Sequence, residues 1–190
     1  MKNLKEYICE SLLDDEEDLV DNDDAIIRNF LEKNYAIRGT YTIKDGIVDV
    51  DGSIHNESLD MKSITNGLFK FGYVDGNFII RLCPSLKSLE GAPEKVGMDF
   101  RCYGCKSLKS LEGAPKEVGG DFDCYNCLSL KTLEGSPKKV GENFDCHKCL
   151  ALISLKGAPK KIGGNFYCHK CISLTSLEGA PKAKKIISDL

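Results

Sequence analysis

The chain has 190 residues, of which 42% are hydrophobic and 29% are charged, a composition typical of a globular protein and not of a disordered one. Its formal net charge of −3 is unevenly distributed, because residues 1–45 carry −6 and the remaining residues carry +3. Neither a secretory signal nor a run of about 18 apolar residues is visible. We therefore expect a cytoplasmic protein with reduced cysteines, and neither a membrane-spanning protein nor a secreted disulfide scaffold.

The N-terminal segment, residues 1–39, predicts two amphipathic helices with an acidic surface. Residues 3–13 repeat apolar side chains at helical spacing. The acidic run at residues 14–18 predicts either a linker or the solvated end of this first helix, and Asp21 or Asn22 is the candidate N-cap of a second helix. Because neither helix is long enough to be stable alone, we expect the pair to cap the open end of another unit.

Residues 40–79 predict a β-hairpin followed by degenerate first repeats. Apolar and polar side chains alternate on both sides of Asp45-Gly46, a dipeptide typical of a two-residue hairpin turn. The segment Val50–Ile54 resembles Val74–Phe78, which in turn resembles Val96–Phe100 one period later. Such irregular entry repeats are expected where the first coil of a solenoid meets a cap.

Residues 80–181 consist of regular repeats with a period of 22 residues. Each repeat carries Val/Ile-Gly, a Phe two residues before Cys-x-x-Cys, two leucines and Gly-Ala/Ser-Pro. A period of this length is typical of a solenoid whose coils bury their apolar side chains against one another. We expect inward columns of Val/Ile, Phe, first Cys, second Cys and the two leucines. The recurring positions include Phe78, Phe100, Phe122, Phe144 and Phe166, and Pro93, Pro115, Pro137, Pro159 and Pro181.

The repeat resembles a known class of proteins. The pattern Phe-x-Cys-x-x-Cys-x-Ser-Leu-x-Ser-Leu, as in Phe100–Leu111, resembles bacterial leucine-rich repeats of the Treponema surface-antigen type. The sequence from Glu112 to Phe122 is more similar to short leucine-rich-repeat-like proteins of phages and prophages. This resemblance covers about residues 46–181 and implies a curved solenoid for contacts between proteins, without a common catalytic activity.

These observations together predict an α+β fold. An N-terminal two-helix cap covers a leucine-rich-repeat-like β-solenoid of short strands. Residues 182–190, a basic and partly apolar segment, are expected to fold Ile186, Ile187 and Leu190 over the last coil, although a binding tail is an alternative.

The four Cys-x-x-Cys pairs allow more than one interpretation. Their spacing is typical of a four-cysteine zinc site, and His147 and His169 add donors between cysteines. However, the pairs recur in step with Phe, Leu and Pro, and Ile80 stands where the preceding coil would have its first cysteine. We favour cysteines packed in the core and expect no metal or other cofactor. A zinc module that contacts nucleic acid or protein, and redox use, are the alternatives.

Outward-facing positions predict the surface that binds a partner. Tyrosines and histidines recur one residue after the first cysteine, and aromatic residues are enriched at interfaces, although they also favour exposed strands. The acidic helical segment either mimics nucleic-acid phosphates toward a basic groove on the partner or is a solvated linker. Lysines after each proline are expected to be solvated turn charges, and a patch that binds nucleic acid or an acidic partner is the alternative. The candidate partner-binding residues are Arg101, Tyr103, Tyr125, His147, Tyr167, His169, Glu16, Glu17, Asp18 and Asp21.

No set of residues typical of an enzyme stands out, whether a nucleophile with a base, a Gly-rich phosphate loop or paired carboxylates. We therefore expect a non-enzymatic protein whose partner is another protein. Membrane binding is not expected, nor is direct nucleic-acid binding, because aromatic residues do not interleave the lysines. The resemblance to phage proteins implies a finer hypothesis, an anti-CRISPR-like inhibitor of a nucleic-acid-processing host defence complex, acting in the host cytoplasm.

Overall fold

The computed structural model of the protein describes residues 16–56 and 59–190, with side chains described from residue 23 onward. It contains helix α1, Glu16–Asn34, and twelve strands of one sheet. The strands are β1 Tyr35–Lys44, β2 Ile47–Asn56, β3 Lys70–Val74, β4 Phe78–Ile79, β5 Lys95–Val96, β6 Phe100–Arg101, β7 Glu117–Val118, β8 Phe122–Asp123, β9 Lys139–Val140, β10 Phe144–Asp145, β11 Phe166–Tyr167 and β12 Ile186–Ile187.

Helix α1 covers the first coil of the solenoid, as a cap was predicted to do. Ile27 and Leu31, one helical turn apart, are buried in the core. The ring of Phe30 packs edge-on against that of Phe69, with 5.8 Å between the ring centroids. Burial of this apolar face stabilises a helix whose N-terminal half is too polar to fold alone.

The predicted limits of the helical cap are only partly confirmed. Glu16 is the first described residue and is already helical, so the prediction of an N-cap at Asp21 or Asn22 is wrong, and residues 16–18 are not a linker. Acidic side chains are favourable throughout the first turns of a helix, which is compatible with a helical conformation of residues 16–18. The predicted first helix, residues 3–13, lies outside the described residues, and the two-helix cap is not confirmed.

Strands β1 and β2 form the predicted hairpin. Asp45 and Gly46 both have positive φ, 51° and 69°, as the two-residue turn that matches the strand twist requires. Strand β1 begins at Tyr35 and not at residue 40, and pairs with β2 along its whole length. Tyr35 is buried and its hydroxyl donates to the carbonyl of Ile64 at 2.7 Å, which fixes the start of the strand in the core.

Strand β2 starts two rows of parallel strands. Its first half pairs with β3, followed in order by β5, β7 and β9. Its second half pairs with β4, followed by β6, β8, β10, β11 and β12. Val50 pairs with Val74 and Val74 with Val96, while Ile54 pairs with Phe78. The predicted equivalence of the degenerate entry segments with the regular repeats is thereby confirmed.

The coils stack one period apart, so the chain forms a repeat β-solenoid. Neighbouring Phe rings of the second row lie 4.9 to 5.6 Å apart between centroids. The predicted inward columns are buried, except at the last coil, where Leu177 is half-buried. They comprise Val74, Val96, Val118, Val140 and Ile162; Phe78, Phe100, Phe122, Phe144 and Phe166; Cys102, Cys124, Cys146 and Cys168; Cys83, Cys105, Cys127, Cys149 and Cys171; and Leu86, Leu89, Leu108, Leu111, Leu130, Leu133, Leu152, Leu155 and Leu174.

The last residues extend the sheet. Strand β12 pairs in parallel with β11, and the amide of Cys168 donates to the carbonyl of Ile187 at 2.9 Å. Of the three apolar side chains predicted to cover the last coil, Ile187 is half-buried, whereas Ile186 and Leu190 are 43% and 58% exposed and do not cover it. The open edge of β11 offers hydrogen bonds that the tail satisfies in preference to burying these side chains. Within the described part of the chain, no helix has both the length and the apolar character needed to cross a membrane.

Candidate functional site

Four of the predicted partner-binding side chains form one continuous stack. The rings of Tyr103, Tyr125, His147 and His169 follow one another with centroid separations of 4.7, 4.7 and 4.8 Å. Their planes are nearly parallel, with interplanar angles of 8°, 13° and 0°. All four side chains are half-buried. We call these four residues the ring column.

The ring column results from one corner that every coil repeats. The residue after each ring has a left-handed backbone, with φ of 72° at Gly104, 59° at Asn126, 57° at Lys148 and 59° at Lys170. The amides of these corners donate to the next coil, as from Asn126 to the carbonyl of His147 at 3.0 Å. These four residues therefore form a row of tight corners, which holds the rings in register.

A second column of outward side chains lies beside the rings, on β6, β8, β10 and β11. It contains Arg101, Asp123, Asp145 and Tyr167. Arg101 donates to the Asp99 carboxylate at 2.8 Å, while its buried Nε has no hydrogen-bond partner in the described structure. Asp145 accepts hydrogen bonds from the backbone amide and the Nδ1 of His147, at 2.9 and 2.7 Å. We call these four residues the charged column.

Burial and like charge make Asp123 unusual within the charged column. Burial raises the pKa of its carboxyl to about 6, the neighbouring Asp145 carboxylate adds to the rise, and the amide of Tyr125 and the charge of Arg101 oppose it. The amide hydrogen bond measures 3.3 Å. Asp123 therefore changes charge just below neutral pH, on a surface from which water is partly excluded.

The last ring of the column carries an unsatisfied polar atom. Nδ1 of His169 is buried and has no hydrogen-bond partner among the described residues. Lys170, the next residue, donates its backbone amide to the carboxylate of Asp189 in the C-terminal segment. The structure thus brings Arg101, Tyr103, Tyr125, His147, Tyr167 and His169 onto one surface, as their register predicts.

The acidic candidates belong to a different part of the molecule. The backbone of Glu16, Glu17, Asp18 and Asp21 forms the first turns of α1. The described side chains of this helix contact the first strands of the solenoid, and Arg28 lies over the ring of Tyr41 at 5.6 Å. The acidic candidates therefore form a second candidate surface, separate from the ring and charged columns.

The cysteines form two buried ladders. The thiols of Cys127 and Cys149 each donate to the carbonyl of a first cysteine one coil earlier, Cys102 and Cys124, both at 3.3 Å. Burial raises the pKa of Cys124 and Cys146, which favours thiols over thiolates. Within residues 16–56 and 59–190, no group of three or more His, Cys, Asp or Glu could hold a metal ion. The thiols thus contribute core packing and hydrogen bonds.

A ladder of Asn and Asp side chains supports the corner between the two strand rows and was not predicted. The residue before each Phe is Asn or Asp, and its side-chain oxygen accepts the amide of the equivalent residue one coil later. Four such bonds measure 2.8 to 3.0 Å. The ladder satisfies amides that have no strand partner at the corner. Its residues are Asn77, Asp99, Asp121, Asn143 and Asn165, and their strict place before Phe was the available signal.

Comparisons of the chain with protein-family models, with curated proteins and with solved structures found no match. Functional interpretation therefore rests on the geometry of the columns and of α1.

Proposed function

We propose that the protein is a non-enzymatic scaffold that binds another protein through the ring column and the charged column. The observation that carries this proposal is the continuous stack of four half-buried rings, 4.7 to 4.8 Å apart. Aromatic side chains contribute large contact areas to interfaces. Because stacking already restricts these rings, little further conformational entropy is lost when a partner covers them.

The charged column supplies polar contacts beside the rings. Asp123 and Asp145 are adjacent carboxylates, and Arg101 lies at one end of the column with a free buried Nε. Arg is enriched at interfaces, and neighbouring carboxylates favour a cationic group of the partner. A partner that places a basic side chain against Asp123 would relieve the repulsion from Asp145 and hold the Asp123 carboxyl ionised.

A finer version of this proposal names the class of partner. The repeat resembles those of phage and prophage proteins, which favours an inhibitor of a host nucleic-acid-processing defence complex in the host cytoplasm. The acids at the start of α1 suit a basic groove on such a complex. This more specific proposal rests on the resemblance of the repeat, whereas the ring and charged columns support the general scaffold function.

A quantitative affinity capture tests the scaffold function. We would compare the proteins captured from a lysate of the source cells by the wild-type chain and by a Tyr103→Glu/Tyr125→Glu variant. The matched control is Lys109→Glu/Lys131→Glu, which adds carboxylates to an exposed column outside the ring surface. Circular dichroism checks that each variant is folded.

We expect a specific partner to bind the wild type and the lysine control and to be lost from the tyrosine variant. Crosslinking from a photoreactive residue at Arg101 should reach the same partner. Capture of the same proteins in the same amounts by a folded tyrosine variant would contradict the proposal.

A further inference from the structure

A second surface, at the far end of the solenoid from α1, carries a charge pattern that the scaffold function does not use. Two outward columns follow each proline along the first row of strands. In the early coils the columns alternate in sign, and two ion pairs connect successive coils. Lys116 Nζ lies 3.0 Å from Glu94 Oε1, and Lys95 Nζ lies 3.9 Å from Glu117 Oε2.

In the last coils the same columns hold lysines only. Lys138 and Lys160 continue one column, and Lys139 and Lys161 continue the other, in the register set by the Val140–Ile162 bridge. Lys182 follows Lys160, to whose carbonyl its amide donates at 3.0 Å. All five side chains are exposed, and none has an ion-pair partner among the described residues. We call these five residues the lysine patch.

Like charges stacked at the sheet spacing of about 4.8 Å are unfavourable neighbours, and the coil geometry does not demand them. The early coils show that the same two positions accept alternating charges and form ion pairs. The lysine patch thus departs from the alternating charge pattern of the early coils in the same chain. An anionic surface bound against the patch would neutralise the repulsion.

The complementary anion is present in the same chain. Residues 14–24 contain eight acids and no base, whereas residues 131–190 contain eleven lysines and five acids, a net charge of +6. Glu17, Asp21 and Asp24 are spaced i, i+4 and i+7 in α1, a rise of about 5.4 Å per turn that is close to the spacing of the patch. The helix packs on the first coil and the patch lies on the last ones, so they cannot meet within one molecule.

We propose that the lysine patch of one molecule binds the acidic N-terminal part of α1 in a second copy of the chain. The contact is head-to-tail, because the two surfaces lie at opposite ends of the solenoid, and it can propagate beyond a dimer. The small net charge of −3 favours such association, since little overall repulsion opposes it. This interface is distinct from the ring and charged columns and does not depend on the function proposed for them.

Sedimentation velocity tests the contact with two variants that each lack one half of it. Lys138→Glu/Lys160→Glu reverses two charges of the patch and lowers its charge from +5 to +1, and Asp21→Lys/Asp24→Lys reverses two charges of the acidic face. The control Lys109→Glu/Lys131→Glu changes the net charge as the patch variant does, at exposed positions elsewhere. Near 0.01 M salt, where the Debye length is about 30 Å, the wild type and the control should exceed the monomer mass of 20.9 kDa as concentration rises.

Each reversed variant alone should associate at least about tenfold more weakly than the wild type. An equimolar mixture of the two should recover association, because the intact patch of one variant can meet the intact acidic face of the other. About 1 M salt should return all samples to monomer.

Three results would overturn the proposal: a wild type that stays monomeric at low salt, equal loss of association in the lysine control, or failure of the two variants to combine. If the wild type and the mixture both stay monomeric but a short polyanion still binds to the lysine patch, the patch belongs to a contact with a different, anionic partner. None of these outcomes depends on binding through the rings.

Discussion

Replacement of Asp123 by Asn should stabilise the protein at neutral pH and leave its stability unchanged in acid. The folded state holds the Asp123 carboxyl at a pKa of about 6, because the side chain is buried beside Asp145. An unfolded chain ionises aspartate near a pKa of about 3.9. Between these values the folded state binds more protons, so the free energy of unfolding falls as pH rises, and the loss is complete above about pH 6.

The size of the effect follows from the shift. A displacement of about two pKa units corresponds to about 3 kcal/mol, since one unit is about 1.4 kcal/mol. Asp123 is only half-buried, so screening by solvent reduces the expected gain for Asp123→Asn to about 1–2 kcal/mol at pH 7.5. The amide oxygen of Asn can still accept the hydrogen bond from the backbone of Tyr125.

Urea denaturation of the wild type and of Asp123→Asn at several pH values between about 4 and 8 measures the difference. The two proteins should coincide near pH 4 and diverge as pH rises through 6. Glu142→Gln is the matched control, because Glu142 is an exposed carboxylate on the neighbouring coil and its removal should give no comparable divergence. A stability difference between wild type and Asp123→Asn that is independent of pH would refute the reasoning.

Three further predictions concern the repeat. Gly119→Ala should cost about 3 kcal/mol by urea denaturation, because its Cβ would lie 2.0 Å from the backbone carbonyl oxygen of Gly97. Gly120→Ala should cost under about 1 kcal/mol, because its Cβ would meet Asp99 Oδ1 at 2.3 Å, which is the end of a side chain that can shift, and because other coils fill this position with Met or Glu. Lys148→Gly should stabilise the protein by about 0.5–1 kcal/mol, since φ is 57° at this position and glycine tolerates a left-handed backbone. Lys131→Gly should destabilise the protein, and equal effects of the two substitutions would contradict the corner geometry. Chelation should leave the melting temperature unchanged, and elemental analysis showing bound zinc would oppose the packing role of the buried thiols.

The solenoid could be predicted from the sequence because each inward position recurs once in every coil with the same type of residue. One cysteine pair alone is compatible with zinc, but Cys102 occurs two residues after Phe100 and one period after Ile80, and only a shared apolar column explains both facts. The structure places all three side chains at 0% exposure. The register of the strands follows from the same repetition, since a shift by any number other than the period would break every column together.

Local features that do not repeat were predicted less well. The N-cap at Asp21 or Asn22 was wrongly predicted because acidic side chains are favourable at any position in the first turns of a helix, so no local signal shows that residues 16–22 are already helical. The left-handed corners were missed because Lys148 and Lys170 are rarely found there, and Gly104 and Asn126 alone did not establish the pattern. The C-terminal segment was predicted to cover the core. Its pairing as β12 could not be predicted, because this pairing depends on an open strand edge that the sequence does not reveal.

The repeat also separates residues that build the fold from those that need another explanation. Each coil offers its neighbours the same environment, so a column of constant residue type, such as Phe or Leu, is accounted for by packing. An outward-facing column whose chemical character changes along the axis is not accounted for by packing. The ring column changes from Tyr to His between Tyr125 and His147, and the lysine patch replaces the alternating charges of Glu94 and Lys116. Coil packing does not require either change, so these two surfaces are where contacts with other molecules are best sought.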